Sequence, residues 1–162
     1  MIEYTDLLNT LAQIALGVLG FTGVVVALRQ RTSEWTQLEK ISFQALVTTT
    51  STALVGAILP QVIAILVEDQ LMVWKYANLG IGILHLSNFV AIMRRAAFAD
   101  IGADKRGRKG IFDSLLGIGI IVGHFAAAFG ILPYVEFMLI IGVIQQLYIG
   151  TGNFLWMITA DE

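Results

Sequence analysis

The chain contains no cysteine and only two prolines among its 162 residues. The lack of cysteine excludes disulfides, thiolate metal sites and cysteine nucleophiles together. Charged residues are scarce too, at 14% of the chain, whereas hydrophobic residues make up 57%. A chain of this composition has too few polar groups to cover its own apolar surface in water. We therefore expect a membrane protein rather than a soluble one.

Long apolar runs occupy most of the chain. Five segments reach the roughly 20 mostly apolar residues that a transmembrane helix needs. They cover residues 7–28, 41–67, 73–93, 111–132 and 134–158. The predicted fold is all-α: an integral membrane bundle of five transmembrane helices, formed by one domain over residues 1–162 with an uncleaved amino terminus. Four spans are the alternative, because only Pro133 separates the last two apolar runs.

The distribution of positive charge predicts how the helices cross. Nine of the ten lysine and arginine residues fall in the stretches 29–40 and 94–109. Basic residues that flank apolar spans are retained on the cytoplasmic side, so five spans place the amino terminus outside and the carboxyl terminus inside. The outer face is then acidic, with Lys75 as its one basic residue. Its acidic residues are Glu3, Asp6, Glu68, Asp69 and Glu136.

Two local signals concern the second span. Thr36 and Glu39 have the spacing of a capping box, in which a hydroxyl and a carboxylate satisfy free backbone N–H groups at the start of a helix. Pro60 cannot donate a hydrogen bond to the carbonyl of Gly56, and a glycine at that position relieves the clash with the proline ring. We expect a bend or hinge at Gly56 and Pro60.

Ionisable side chains other than histidine are absent from the centres of the predicted spans. Pumps and ion-coupled carriers keep such groups at mid-membrane, so their absence favours passive conduction. Amides, hydroxyls and imidazoles instead recur at helical spacing and form polar stripes. The pore-lining candidates on these stripes are Gln44, Thr48, Ser51, Thr52, Asn78, His85, Gln146 and Asn153. The alternative is that these groups bond to neighbouring helices or to their own backbone.

The two histidines, His85 and His124, raise a different possibility. Two imidazoles on adjacent helices can ligate a haem between them. No third ligand accompanies them, which argues against a non-haem metal. No nucleophile, base and orienting acid share a recognisable arrangement either. We expect no enzyme activity, no metal and no cofactor, and keep a bis-histidine redox protein as a third hypothesis.

The second basic stretch, residues 94–110, is predicted to be a cytoplasmic loop. Six positive charges in it would contact the anionic headgroups of membrane lipid, or bind a cytoplasmic anionic ligand or protein partner. These residues are Arg94, Arg95, Lys105, Arg106, Arg108 and Lys109.

One resemblance concerns the first 60 residues. The segment from Gly20 to Leu28 reads GFTGVVVAL, and a short basic loop with Trp35 and a second helix with a late Pro60 follow it. This pattern resembles the start of small uncharacterised polytopic bacterial inner-membrane proteins. The resemblance implies a multi-pass protein of the bacterial inner membrane and supplies no activity or catalytic residues.

The leading functional hypothesis is a homo-oligomeric channel that passes ions. A short chain with uncharged polar stripes could line a pore around a symmetry axis, and the acidic outer face would concentrate cations. The basic loop would serve its gating. The alternative is a non-catalytic membrane subunit that docks a cytoplasmic partner.

Overall fold

Five long helices make up the regular structure of the described residues, which in this computed structural model are 4–29, 35–98 and 103–159. The side chains at positions 28, 29, 98, 103–110 and 159 lie outside this description. The helices are α1 (Thr5–Arg29), α2 (Gln37–Ile63), α3 (Gln70–Phe98), α4 (Ala103–Ala128) and α5 (Val135–Thr159). Each is long and apolar enough to cross a membrane.

The five helices alternate in direction. The side chain of Gln61 on α2 donates to Asn9 near the start of α1, and Asn88 on α3 donates to Thr52 on α2. α5 packs against α2 more extensively than any other helix pair does. One end of the bundle carries the short connections after α2 and α4, together with Glu68, Asp69 and Glu136, and is called the acidic end. The opposite end carries the connections after α1 and α3, together with Arg94 and Arg95, and is called the basic end.

The capping box predicted at the start of α2 is confirmed. The Thr36 hydroxyl accepts from the backbone N–H of Glu39 at 3.3 Å, and the Glu39 carboxylate accepts from the backbone N–H of Thr36 at 2.6 Å. The far end of α2 was placed too late, because the helix ends at Ile63 and turns follow it. Pro60 lies inside α2, less than one turn before this end.

α4 and α5 are separate helices, each long and apolar enough to cross a membrane, which supports five spans over the four-span alternative. α4 ends at Ala128, four residues earlier than predicted, in a Schellman motif. The N–H of Gly130 donates to Ala127 and the N–H of Ile131 donates to Ala126, which satisfies two carbonyls of the last turn. Gly130 has a φ of 74°, a left-handed conformation that costs glycine little. Gly130 followed three residues later by Pro133 is a pattern in the sequence that indicates the end of a helix.

The predicted basic loop is largely helical. α3 continues to Phe98 and α4 begins at Ala103, so Arg94 and Arg95 lie in the last turns of α3. Lys105, Arg106, Arg108 and Lys109 occupy the first turns of α4, and their side chains lie outside the described residues. The predicted boundaries were placed where each run of apolar residues ends. A helix can continue beyond that point into charged residues.

Amides and imidazoles lie among apolar side chains in the interior of the bundle, and large apolar side chains cover its outside. Asn78 and His124 are fully buried, whereas Phe21 and Leu115 are 69% and 65% exposed. Amides and imidazoles need hydrogen-bond partners in an apolar medium, and the bundle interior supplies them. The large apolar side chains on the outside would contact lipid.

Candidate functional site: a cavity at the basic end and a buried polar cluster

A cavity of about 200 Å³ lies at the basic end of the bundle, among α2, α3, α4 and α5. α2 and α4, which make no close backbone approach to each other within the described residues, face one another across it. Apolar side chains form much of its wall. Its polar lining consists of Ser42, Thr49, His85, Asn88, Asp113, Ser114, Gln146 and Asn153.

A buried polar cluster begins at the inner end of this cavity and continues toward the acidic end. Two of its five members, His85 and Gln146, line the cavity, and the others are buried beside or beyond them. All five are at most 5% exposed. The members are Asn78, His85, His124, Gln145 and Gln146.

The amide of Asn78 determines the hydrogen-bonding role of His124. Asn78 Nδ2 donates to the main-chain oxygens of Trp74 at 2.9 Å and Val135 at 2.8 Å. Its Oδ1 is therefore the acceptor in the 2.9 Å contact with His124 Nδ1. The proton of this imidazole must lie on Nδ1. The bond to Val135, the first residue of α5, also joins the polar cluster to the acidic end of the bundle.

His85 is held by the glutamines of α5. Gln146 Nε2 lies 2.6 Å from His85 Nε2 and donates to Gln145 Oε1 at 3.1 Å. The two imidazole rings lie 6.2 Å apart between centroids, with their planes at 68°. The cluster thus connects α3, α4 and α5 through side chains that lipid could not satisfy.

Two glycines make room for His124. A Cβ atom on Gly82 would lie 3.1 Å from His124 Cβ, so α3 and α4 approach closely there. A Cβ atom on Gly142 would overlap the imidazole ring at Nε2 and Cε1. The absence of a side chain at both positions is what lets a bulky polar ring lie between three helices. No local pattern in the sequence connects either glycine with His124, because the contacts run between helices.

The predicted pore-lining residues separate into two groups. Asn78, His85 and Gln146 belong to the buried polar cluster, and Asn153 is half-buried in the cavity wall. The stripe of Gln44, Thr48 and Ser51 on α2 is half-buried and does not line the cavity.

The hydroxyls of α2 bond mainly to their own helix. Thr48 donates to the carbonyl of Gln44 at 2.8 Å, and Thr52 donates to that of Thr48 at 2.8 Å. Thr52 is buried and also accepts from Asn88 Nδ2 at 2.7 Å. The amide of Gln44 accepts from the Arg95 guanidinium, which joins α2 to α3 at the basic end. In a single subunit, these contacts correspond to the helix-bonding alternative for the α2 stripe.

A haem between His85 and His124 would not fit this packing. A porphyrin between the rings would have to separate α3 from α4 at Gly82, where an added Cβ would already lie 3.1 Å from His124 Cβ. The Nε2 atom of His85, one of the two atoms through which this imidazole could bind iron, is already engaged by Gln146. Within the described residues there is no group of three or more histidine, cysteine, aspartate and glutamate side chains that could hold a metal.

Several residues of the cavity wall and the buried polar cluster were not predicted from the sequence. Asn88 was not selected, although it lies one turn after His85 on the same face of α3. Gln145 directly precedes the predicted residue Gln146, and this pair of adjacent amides in an apolar helix was a usable signal. Ser42, Asp113 and Ser114 lie near the starts of the predicted spans 41–67 and 111–132, where polar residues are common, so no sequence signal distinguished them.

Comparison with known proteins gives no relative from which a function could be transferred. No family model, no curated protein and no solved structure matches this chain.

Proposed function

We propose that the protein is a multi-pass protein of the bacterial inner membrane that conducts ions passively. The five apolar helices and the exposed apolar exterior support membrane insertion. The clustering of basic residues at one end supports an outside amino terminus and an inside carboxyl terminus. The bacterial location rests on the resemblance of the first 60 residues.

The observation that carries the conduction proposal is the polar interior of one bundle. The cavity at the basic end leads to His85 and Gln146, and the hydrogen bonds of His124 and Asn78 continue to Val135 at the acidic end. This arrangement favours a path within each subunit over the pore between subunits that the sequence suggested. A homo-oligomer remains a prediction.

The half of the bundle nearest the acidic end is tightly packed, so a conducting state must open it. α2 and α5 pack closely at Gly56, where an added Cβ would lie 2.9 Å from Val143 Cγ2 and 3.5 Å from Ile81. Side chains of Trp74 and Leu139 fill the same core. Pro60 follows Gly56 by one turn, and a proline weakens helix continuity where movement would be needed. We assign Gly56 and Pro60 as the hinge.

The docking alternative has less support. Arg95 contacts Gln44 within the bundle, and the side chains of Lys105, Arg106, Arg108 and Lys109 lie outside the described residues. Docking of a cytoplasmic anionic ligand or partner there remains a prediction. The haem alternative is disfavoured by the close packing at Gly82.

Flux measurements on purified protein in liposomes test the conduction proposal. Gly56→Ala should raise the ion flux about tenfold or more, because a wedge that strains the closed packing by 1–3 kcal/mol shifts the equilibrium toward the open form. Gly119→Ala is the matched control, since a Cβ there meets no atom within 4 Å. If neither the natural chain nor Gly56→Ala passes ions at any tested voltage, the conduction proposal fails.

Sidedness can be tested separately because the chain has no cysteine. Single cysteines would replace Tyr134, at the acidic end, and Lys40, at the basic end; both positions are exposed. A membrane-impermeant maleimide should label Y134C in intact spheroplasts and K40C only after lysis. The reverse pattern would invert the proposed topology.

A further inference from the structure

The amide side chains that line the cavity present mostly hydrogen-bond acceptors to it. Asn88 donates its Nδ2 to Thr52 at 2.7 Å, and Asn153 donates its Nδ2 to the carbonyl of Ile149 at 2.9 Å. Gln146 directs its Nε2 to His85 and Gln145. Each amide nitrogen thus donates at least one of its two N–H groups to the protein. Its carbonyl oxygen has no hydrogen-bond partner within the described residues.

The hydroxyl of Thr49 in the cavity wall also donates to the protein and leaves its oxygen available. Thr49 donates to the carbonyl of Ala45 at 2.7 Å, so its oxygen offers lone pairs to the cavity rather than a proton. Among the described residues, the lining contains one carboxyl group, that of Asp113. The amide oxygens and the Thr49 oxygen together give a cation several neutral ligands in one cavity.

We propose that the cavity binds a small monovalent cation, either an alkali metal ion or ammonium. This inference deepens the proposed function by naming the class of ion. Neutral oxygens can replace part of the hydration shell of a monovalent ion without holding it too tightly to leave. Calcium and magnesium sites are built around carboxylates, and the one lining carboxylate, Asp113, is too little for them. The absence of cysteine removes the ligands that soft metals prefer.

Binding can be measured without any flux. Full-length protein in lipid nanodiscs would be titrated with radioactive Tl⁺, a monovalent reporter ion, with Na⁺, K⁺, ammonium and Mg²⁺ as competitors. We expect saturable Tl⁺ binding that at least one monovalent ion displaces and that Mg²⁺ does not.

Two substitutions test the location. Asn153→Leu removes one cavity oxygen and should weaken Tl⁺ binding about tenfold, because the loss of one good polar contact is worth about 1.4 kcal/mol. Asn153 bonds only to its own helix, so folding should persist. Thr49→Val is a second variant with the same expectation. Asn9→Leu is the matched control, since Asn9 is exposed on α1 at the far end of the bundle.

The outcomes separate this inference from the conduction proposal. Saturable Tl⁺ binding without flux would leave the cation site standing and remove the channel. Flux whose reversal potential follows the chloride gradient would overturn the cation site and leave conduction intact. Absence of saturable binding, efficient displacement by Mg²⁺, or equal affinities for Asn153→Leu and Asn9→Leu would each overturn the cation site.

Discussion

Replacing Gly142 by alanine should displace His124 from the buried polar cluster. The added Cβ would overlap the imidazole at Nε2 and Cε1. His124 is fully buried and hydrogen-bonded to Asn78, so the ring has no free space to move into. Either the ring tilts and its hydrogen bond breaks, or α5 moves away from α4.

The cost of Gly142→Ala follows from these two contacts. Overpacking of a close-packed interior costs about 1–3 kcal/mol. Loss of the bond between His124 and Asn78 adds about 1 kcal/mol. We therefore expect the free energy of unfolding to fall by about 2–4 kcal/mol. This loss should exceed the gain of up to about 1 kcal/mol that alanine offers over glycine in a helix.

Unfolding of the purified protein in mixed micelles, titrated with a denaturing detergent, would measure the change. Gly119→Ala is the control, because its Cβ meets no atom within 4 Å. A double-mutant cycle with His124→Ala provides the sharper test, since removal of the imidazole makes room for the new methyl group. The penalty of Gly142→Ala should then largely disappear. If Gly142→Ala behaves like Gly119→Ala, or if its penalty is the same with and without the imidazole, the assigned packing of His124 is wrong.

Two further substitutions probe other contacts by the same unfolding measurement. Asn78→Leu should lower the free energy of unfolding by about 2–3 kcal/mol, because it leaves the buried His124 Nδ1–H without an acceptor. The control Asn9→Leu should change the free energy of unfolding by less than about 0.5 kcal/mol. Equal effects of the two substitutions would contradict the role of Asn78. Gly130→Ala should cost about 1–2 kcal/mol because its φ of 74° is strained for alanine, and a neutral result would remove the argument for the turn after α4.

The helices could be predicted from the sequence because their signal is local. Twenty apolar residues in a row indicate a span whatever surrounds them, and Thr36 and Glu39 form their capping box within four residues. The errors were at boundaries. α4 ends at a turn whose glycine could have been recognised in the sequence as a stop signal. α3 and α4 also continue into a charged stretch that the criterion of apolar residues excluded.

The site was only partly predictable, because the helical period shows which residues share a face but not what that face meets. It grouped Gln44, Thr48 and Ser51 correctly on one side of α2, yet that side does not line the cavity. Asn88 and Gln145 matter because of partners on other helices or beside them, and no spacing rule shows such partners.

The sequence by itself determined that the chain forms five apolar helices, where basic charge concentrates, and that no charged side chain occupies the centre of a span. These properties depend on composition and on neighbours along the chain. Only the tertiary structure decided which polar groups meet, because the α3–α5 register and the gaps at Gly82 and Gly142 bring together residues as far apart as Asn78 and Val135. The tertiary structure also decided which atom of each amide remains available to a ligand, because the nitrogen of the amide donates to a partner that the fold places beside it.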